Sequence, residues 1–224
     1  MSESGQSDRQ RMSIVALGSF NPAIFHPVWF ARHKLIRDAE AEESKLKVMC
    51  PEITVVESEW FALQVTAERF SLETSDPRKF LPLRDLVTAT FSILEHTPVS
   101  AFGFNSVQYF QLTSTDAWHH FGHHFAPKAS WTGILDAPGL CLQTIQGTRS
   151  GSSADKIQIS IQPQRENGVV FSINEHYDVK QSDVQDAPPS AVAFVDALEL
   201  GWDCFLEYSR TVGEHLLNEG KLPE

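Results

Sequence analysis

The sequence predicts an α+β fold: a largely antiparallel sheet with three to four helices packed mainly on one face. The expected order is β-α-β-β-α-β-α-β-β-β-α. Three observations lead there. Short apolar stretches alternate with period two, as Phe61, Leu63 and Val65 do, which marks half-buried strands. Apolar residues at helical spacing recur in only four places. The strands also follow one another without regular β-α alternation, which argues against a doubly wound parallel sheet.

A first strand spans Ser13 to Leu17, and Gly18 to Pro22 breaks it. A helix follows Pro27, with Val28, Ala31, Leu35, Ala39 and Leu46 on one stripe. Arg32, Lys34 and Arg37 fall early on it and Glu40, Glu42 and Glu43 late, against the helix dipole. Strands are expected at Ile53–Ser58 and Trp60–Thr66, with Phe70–Thr74 extending the pair. The second helix is placed from about Pro82 to Glu95, because a proline interrupts a helix already several residues old. Val99–Leu112 reads as a strand. Ser114, Thr115 and Asp116 cap a short helix to Phe125. Three strands follow, Leu140–Thr148, Lys156–Gln164 and Val169–Val179, the last two joined at Asn167-Gly168, residues that tolerate positive φ. After the acidic loop Gln181–Pro189, a final helix near Ser190–Asn218 buries Val195, Leu198, Trp202, Phe205, Val212 and Leu216. Residues 1–11 are read as a polar tail and 12–224 as a single domain. Gly133–Gly139 is the nearest thing to a seam, and no internal repeat is visible.

Composition narrows function. The chain has 224 residues, 29 acids and 18 bases, a net charge of −11. From Glu175 onward there are 11 acids and 3 bases. That balance excludes a general nucleic-acid binder, which needs clustered Lys and Arg. No apolar run approaches the roughly 20 residues of a membrane span. The cysteines, Cys50, Cys141 and Cys204, are odd in number and widely spaced, unlike a disulfide framework. A cytoplasmic protein is expected.

The most unusual stretch is Trp118-His119-His120-Phe121-Gly122-His123-His124-Phe125. On a helix, His119 and His123 stand one turn apart, as do His120 and His124. Each pair has the spacing to hold one Zn or Ni ion through neutral imidazoles. The glutamate of H-E-x-x-H is missing, so third ligands must come from elsewhere, with Asp116, Asp136 and His176 as candidates. The competing reading is an amphipathic helix with histidines outside and aromatics inside. Other candidates are His176 and Asp178 as base and orienter beside Asn174, and two basic groups: Arg149, Lys156 and Arg165, then Arg9, Arg11, Arg32, Lys34 and Arg37. On the last helix Asp196, Glu199, Asp203 and Glu207 form an acidic stripe suited to a basic partner or a second subunit. A small-ligand pocket between sheet and helices is a further option.

The segment Asn21–Leu112, with its early Asn21-Pro22, the Glu68-Arg69-Phe70 turn and Asn105 after an apolar strand, resembles a scattered family of uncharacterised bacterial proteins. That resemblance implies a stand-alone α+β domain from a bacterium and transfers no site. Glu68-Arg69-Phe70 reads as a turn that returns Phe70 to the core, and Asn105 as a bend ending the Phe102–Phe104 run. The function expected from all this is non-enzymatic binding or assembly, through self-association or a protein partner. The alternative is a metal-dependent hydrolase built on His119, His120, His123 and His124.

Overall fold

The computed structural model describes residues 9–179 and 190–221. Residues 1–8 of the expected tail and the whole acidic loop Gln181–Pro189 lie outside the described residues. The strands are β1 (Arg9–Gly18), β2 (Lys45–Cys50), β3 (Ile53–Glu57), β4 (Ala62–Thr66), β5 (Arg69–Thr74), β6 (Val99–Gln111), β7 (Gln143–Gly147), β8 (Lys156–Pro163) and β9 (Gly168–Asp178). The helices are α1 (Pro27–Arg32), α2 (Asp38–Glu43), α3 (Phe80–Ile93), α4 (Thr115–Phe125) and α5 (Val192–Glu219). All nine strands pair antiparallel in one sheet, in the order β2-β3-β4-β5-β1-β6-β9-β8-β7. The fold is α+β with the sheet dominant, as the sequence predicts.

The topology is written twice. β1, α1–α2, β2 to β5 and α3 form one unit; β6, α4, β7 to β9 and α5 form the other. In each unit the last strand returns to lie beside the first. The two first strands, β1 and β6, then pair antiparallel at the centre, from Arg9↔Tyr109 to Leu17↔Ala101. The repeat is one of topology and not of residues, which is why the sequence hides it. The division falls between α3 and β6, not at Gly133–Gly139.

Register decides which face is covered. Ala16, Phe102 and Tyr177 stand in one cross-strand row, and Ile14, Phe104 and Glu175 in the next. Helices meet this face: Phe91 of α3 packs edge-on against Phe70, Phe194 of α5 lies over Phe102, Trp202 meets Phe104, and Phe121 of α4 stacks on Phe171. Under α1, Phe25 reaches Phe70. Phe194, Leu198, Trp202 and Phe205 are fully buried along α5, each removing roughly 1.5–3 kcal/mol worth of apolar surface from water. Trp202 satisfies its one donor by giving Nε1–H to the Phe80 carbonyl at 3.0 Å.

Several expectations are corrected. The single helix after Pro27 is two short ones, because Lys34 adopts a left-handed φ of 59°. The split resolves the charge polarity for Arg32 and Glu40 alone, since Arg37 stays at the N-cap of α2 and Glu42 and Glu43 at its C-terminal end. Arg32 lies in the last turn of α1, while Asp38 and Glu40 lie in the first turn of α2. Each therefore sits at the favourable end of its own helix dipole. Glu40 accepts the Arg37 backbone N–H at 2.9 Å, closing the start of α2. β2, whose Leu46 was expected to end the helix after Pro27, is an edge strand. Pro82 sits inside the first turn of α3, where an amide hydrogen has no helical partner to lose, and Asp76-Pro77 starts a 3-10 turn leading into it. In the β8–β9 hairpin the positive φ values fall on Glu166 and Asn167, one residue earlier than expected. Arg9 to Arg11 belong to β1 and not to the tail, and Asn105 lies within β6 and makes no bend.

Candidate functional site

The other face of the sheet has no helix over it among the described residues. Its composition follows from the register, because residues two apart on a strand share a face. One row across it runs Glu73, Ser13, Asn105, Asn174, Gln158 and Gln146. The rows on either side carry Val107, Ser172, Ser160 and Thr144, and Gln64, Ser71, Val15, Gly103, His176 and Lys156. The middle is thus built of short hydroxyl and amide side chains. Two bonds fix it locally: Asn174 Nδ2 donates to Asn105 Oδ1 at 2.7 Å, and the Thr144 and Ser160 hydroxyls lie 2.9 Å apart. Gly103 leaves little room for a larger residue here. A Cβ on it would stand 3.0 Å from both the Asn174 amide nitrogen and the Glu175 carbonyl oxygen.

Charges on this face come in opposite signs. Arg11 and Glu73 are 3.7 Å apart, Lys47 and Glu57 2.9 Å, and His176 Nε2 and Asp178 Oδ1 2.9 Å. Arg9, Arg69 and Lys156 stand beside them. There is no single-signed stripe for a phosphate backbone to follow. Tyr109, Gln158, Gln162 and Gln64 are exposed and point from the same face.

Directly behind the face lies the one acid among the described residues that is fully buried, Glu175 on β9. The β7–β8 connection sends Arg149 under α5 to meet it, with Nη2 2.8 Å from Oε1. Tyr177 donates its hydroxyl to Oε2 at 2.9 Å. The Arg149 guanidinium also lies 4.3 Å from the centre of the Tyr208 ring. Burial pushes the Glu175 carboxyl above its ordinary range, against the opposing pull of Tyr177 and Arg149. Burial, then the Glu175 charge, pushes the Tyr177 hydroxyl up as well, so it remains a donor at neutral pH. Arg149 Nε is buried with no acceptor. The cluster therefore ties the β7–β8 connection to β9 through an ion pair that is incompletely hydrogen-bonded, and meets α5 through the Tyr208 ring.

The sequence-predicted residues are distributed as follows. His119, His123 and His124 on α4 are exposed and His120 is half-buried, while Phe121 turns inward. The His123 Nδ1 atom accepts the Lys128 backbone N–H at 3.4 Å. Among the described residues no three His, Cys, Asp or Glu side chains converge where a metal ion could sit. The four histidines thus offer pairs without a third ligand. Asp196, Glu199, Asp203 and Glu207 are exposed along α5, on the far side of the molecule from the open face. Arg84 of α3 reaches Asp203 at 3.3 Å while pairing with Asp85, so the stripe is partly compensated. Arg149 leaves the expected surface group and turns, half-buried, toward Glu175, whereas Lys156 and Arg165 remain outside. A cleft of about 600 Å³ lies outside α1–α2, with Lys34, Arg37, Trp60 and Lys79 around it, and not between sheet and helices. The open face itself was missed by sequence reasoning. Its signal was the run of polar residues at alternate strand positions, which becomes a surface only once strand order is known. No protein-family model and no curated protein matches the chain.

Proposed function

We propose that the chain is a non-enzymatic binding protein that engages a protein partner through the uncovered face of its sheet. The observation that carries this is the asymmetry of the sheet: nine strands wide, helices on one side and none among the described residues on the other. Antiparallel sheets tolerate a solvated face. What marks this one is its filling by small hydroxyl and amide groups, with the longer Tyr109, Gln158 and Gln64 around them. Short side chains let a partner come close to the backbone, and amides and hydroxyls both donate and accept hydrogen bonds. Mixed charge of both signs fits a protein surface better than a polyanion. The hydrolase alternative would need a third protein ligand and an open position beside the histidine pairs, and among the described residues no such group converges. Among the described residues, no helix is long and apolar enough to cross a membrane.

The test compares proteins retained by the full chain with those retained by two variants. One is Tyr109→Ala/Gln158→Ala on the open face and the other is Asp196→Lys/Glu207→Lys on α5. The reading expects one protein species lost with the first variant and kept with the second. Loss with the α5 variant alone would move the binding surface to the acidic stripe, and an identical set from all three would remove the open face from consideration.

A further inference from the structure

We propose that β7 is a self-association edge, at which two copies pair β7 with β7 antiparallel across a two-fold axis and continue the sheet from one chain into the next. This goes beyond the open-face reading and is tested separately from it.

β7 ends the sheet, and among the described residues no strand lies beyond it. An edge strand presents unpaired N–H and C=O groups that template the addition of another strand. The two edges of this sheet are managed differently. β2 carries Lys45 and Lys47, and its register with β3 shifts between Leu46 and Val48. Charge and a bulge are the ordinary means of blocking edge pairing. β7, with the sequence QTIQG, has no charge, no proline and an unbroken register with β8.

The chain leading into β7 is apolar and exposed. Ile145 on the strand is 58% exposed, and Trp131, Ile134, Leu135 and Leu142 in the segment leading into it are 47–70% exposed. At roughly 200 Å² for each such side chain, these leave about 550 Å² of apolar surface per copy. Two copies would bury about 1,100 Å² before their backbones are counted, which reaches the size of a specific interface.

Charge identifies the occupant as a second copy. On a chain of net −11, a strongly acidic surface would repel its own copy. Between Ala129 and Thr148 the only charged residue is Asp136. Antiparallel pairing of a strand with itself is also the arrangement a two-fold axis produces, the isologous contact of most homodimers.

The experiment is sedimentation of the untagged full chain over a dilution series up to about 100 µM, well above a micromolar dissociation constant. The proposal expects a dimer that Ile145→Lys or Gln146→Lys weakens by at least roughly tenfold, about 1.4 kcal/mol. The control Val48→Lys on β2 should leave it intact. A second measurement needs no variant: amide exchange in Gln143–Gly147 should slow as concentration rises. A chain that remains monomeric at the highest concentration overturns the proposal. So does a dimer that survives both β7 substitutions, or one whose β7 amides exchange at the same rate at every concentration.

Discussion

Replacing Arg149 with methionine leaves the Glu175 carboxylate, fully buried on β9, without its counter-charge. At 2.8 Å the attraction being removed is roughly 6 kcal/mol at an effective dielectric of about 20. Deleting one partner of such a pair costs about 3–5 kcal/mol net. Glu175 has an escape, because it can take up a proton. Against an unfolded carboxyl near 4.3, that escape costs about 1.4 kcal/mol per pH unit, hence roughly 3.7 kcal/mol at pH 7 and about 1 kcal/mol at pH 5. The loss in Arg149→Met is therefore capped, and the cap depends on pH: about 3 kcal/mol at pH 7 and at most about 1 kcal/mol at pH 5. Wild type follows the same sign more weakly. Its Glu175 carboxyl lies above the unfolded range, so the native state holds the proton longer than the unfolded chain. This contribution is complete below the ordinary carboxyl range and is lost as pH rises through the raised native value. Urea unfolding of both proteins at the two pH values reads the difference. Adding Glu175→Gln to Arg149→Met should recover most of the loss at pH 7, because the amide keeps the shape and can accept the Tyr177 hydroxyl. A loss that is equal at both pH values, or below about 1 kcal/mol at pH 7, would show that Glu175 is not held as a buried charge by Arg149.

Three other outcomes follow from the packing. Trp202→Ala removes a fully buried indole and its bond to the Phe80 carbonyl, and should cost about 3–5 kcal/mol in the urea midpoint analysis. Gly213→Ala puts a methyl group into the Gln108 amide, whose Nε2 donates to the Ser209 carbonyl at 2.7 Å beneath α5. Overpacking there should lower stability by about 1–3 kcal/mol, read by the same assay. Ser114→Ala deletes the hydroxyl that accepts the Ala117 N–H at 3.1 Å, and should lower stability by about 1 kcal/mol while speeding amide exchange in the first turn of α4.

Much of the fold was legible because periodicity reports local structure faithfully. α4 begins and ends where the Ser114 cap and Phe125 place it, and α5 buries Leu198, Trp202 and Phe205 as its stripe requires. The first helix failed for a definite reason. Leu35, Ala39 and Leu46 fall at helical spacing by coincidence, while Lys45-Leu46-Lys47-Val48 alternates as a strand does. An exposed edge strand has little apolar bias, so the longer pattern overrode it. The charge order was the warning, since Arg32 and Glu40 opposed one helix dipole and each agrees with that of its own short helix. The open face was out of reach for a different cause. Ser13 and Asn105 in one cross-strand row, and Ser172 and Ser160 in the next, are up to 159 positions apart in sequence. Only pairing between distant strands brings them together, and periodicity does not encode it. The same holds for Arg149, a turn residue on the sequence that crosses beneath α5 to reach Glu175.

The central claim is that the uncovered face is where a partner binds. A photoreactive side chain placed at exposed Gln158, on that face one strand in from β7, tests it most directly when compared with the same group at Glu199 on α5. The account predicts one discrete protein adduct from position 158 in cells that make the protein, and none of that species from position 199. An adduct from position 199 alone, or no adduct from position 158, would contradict it.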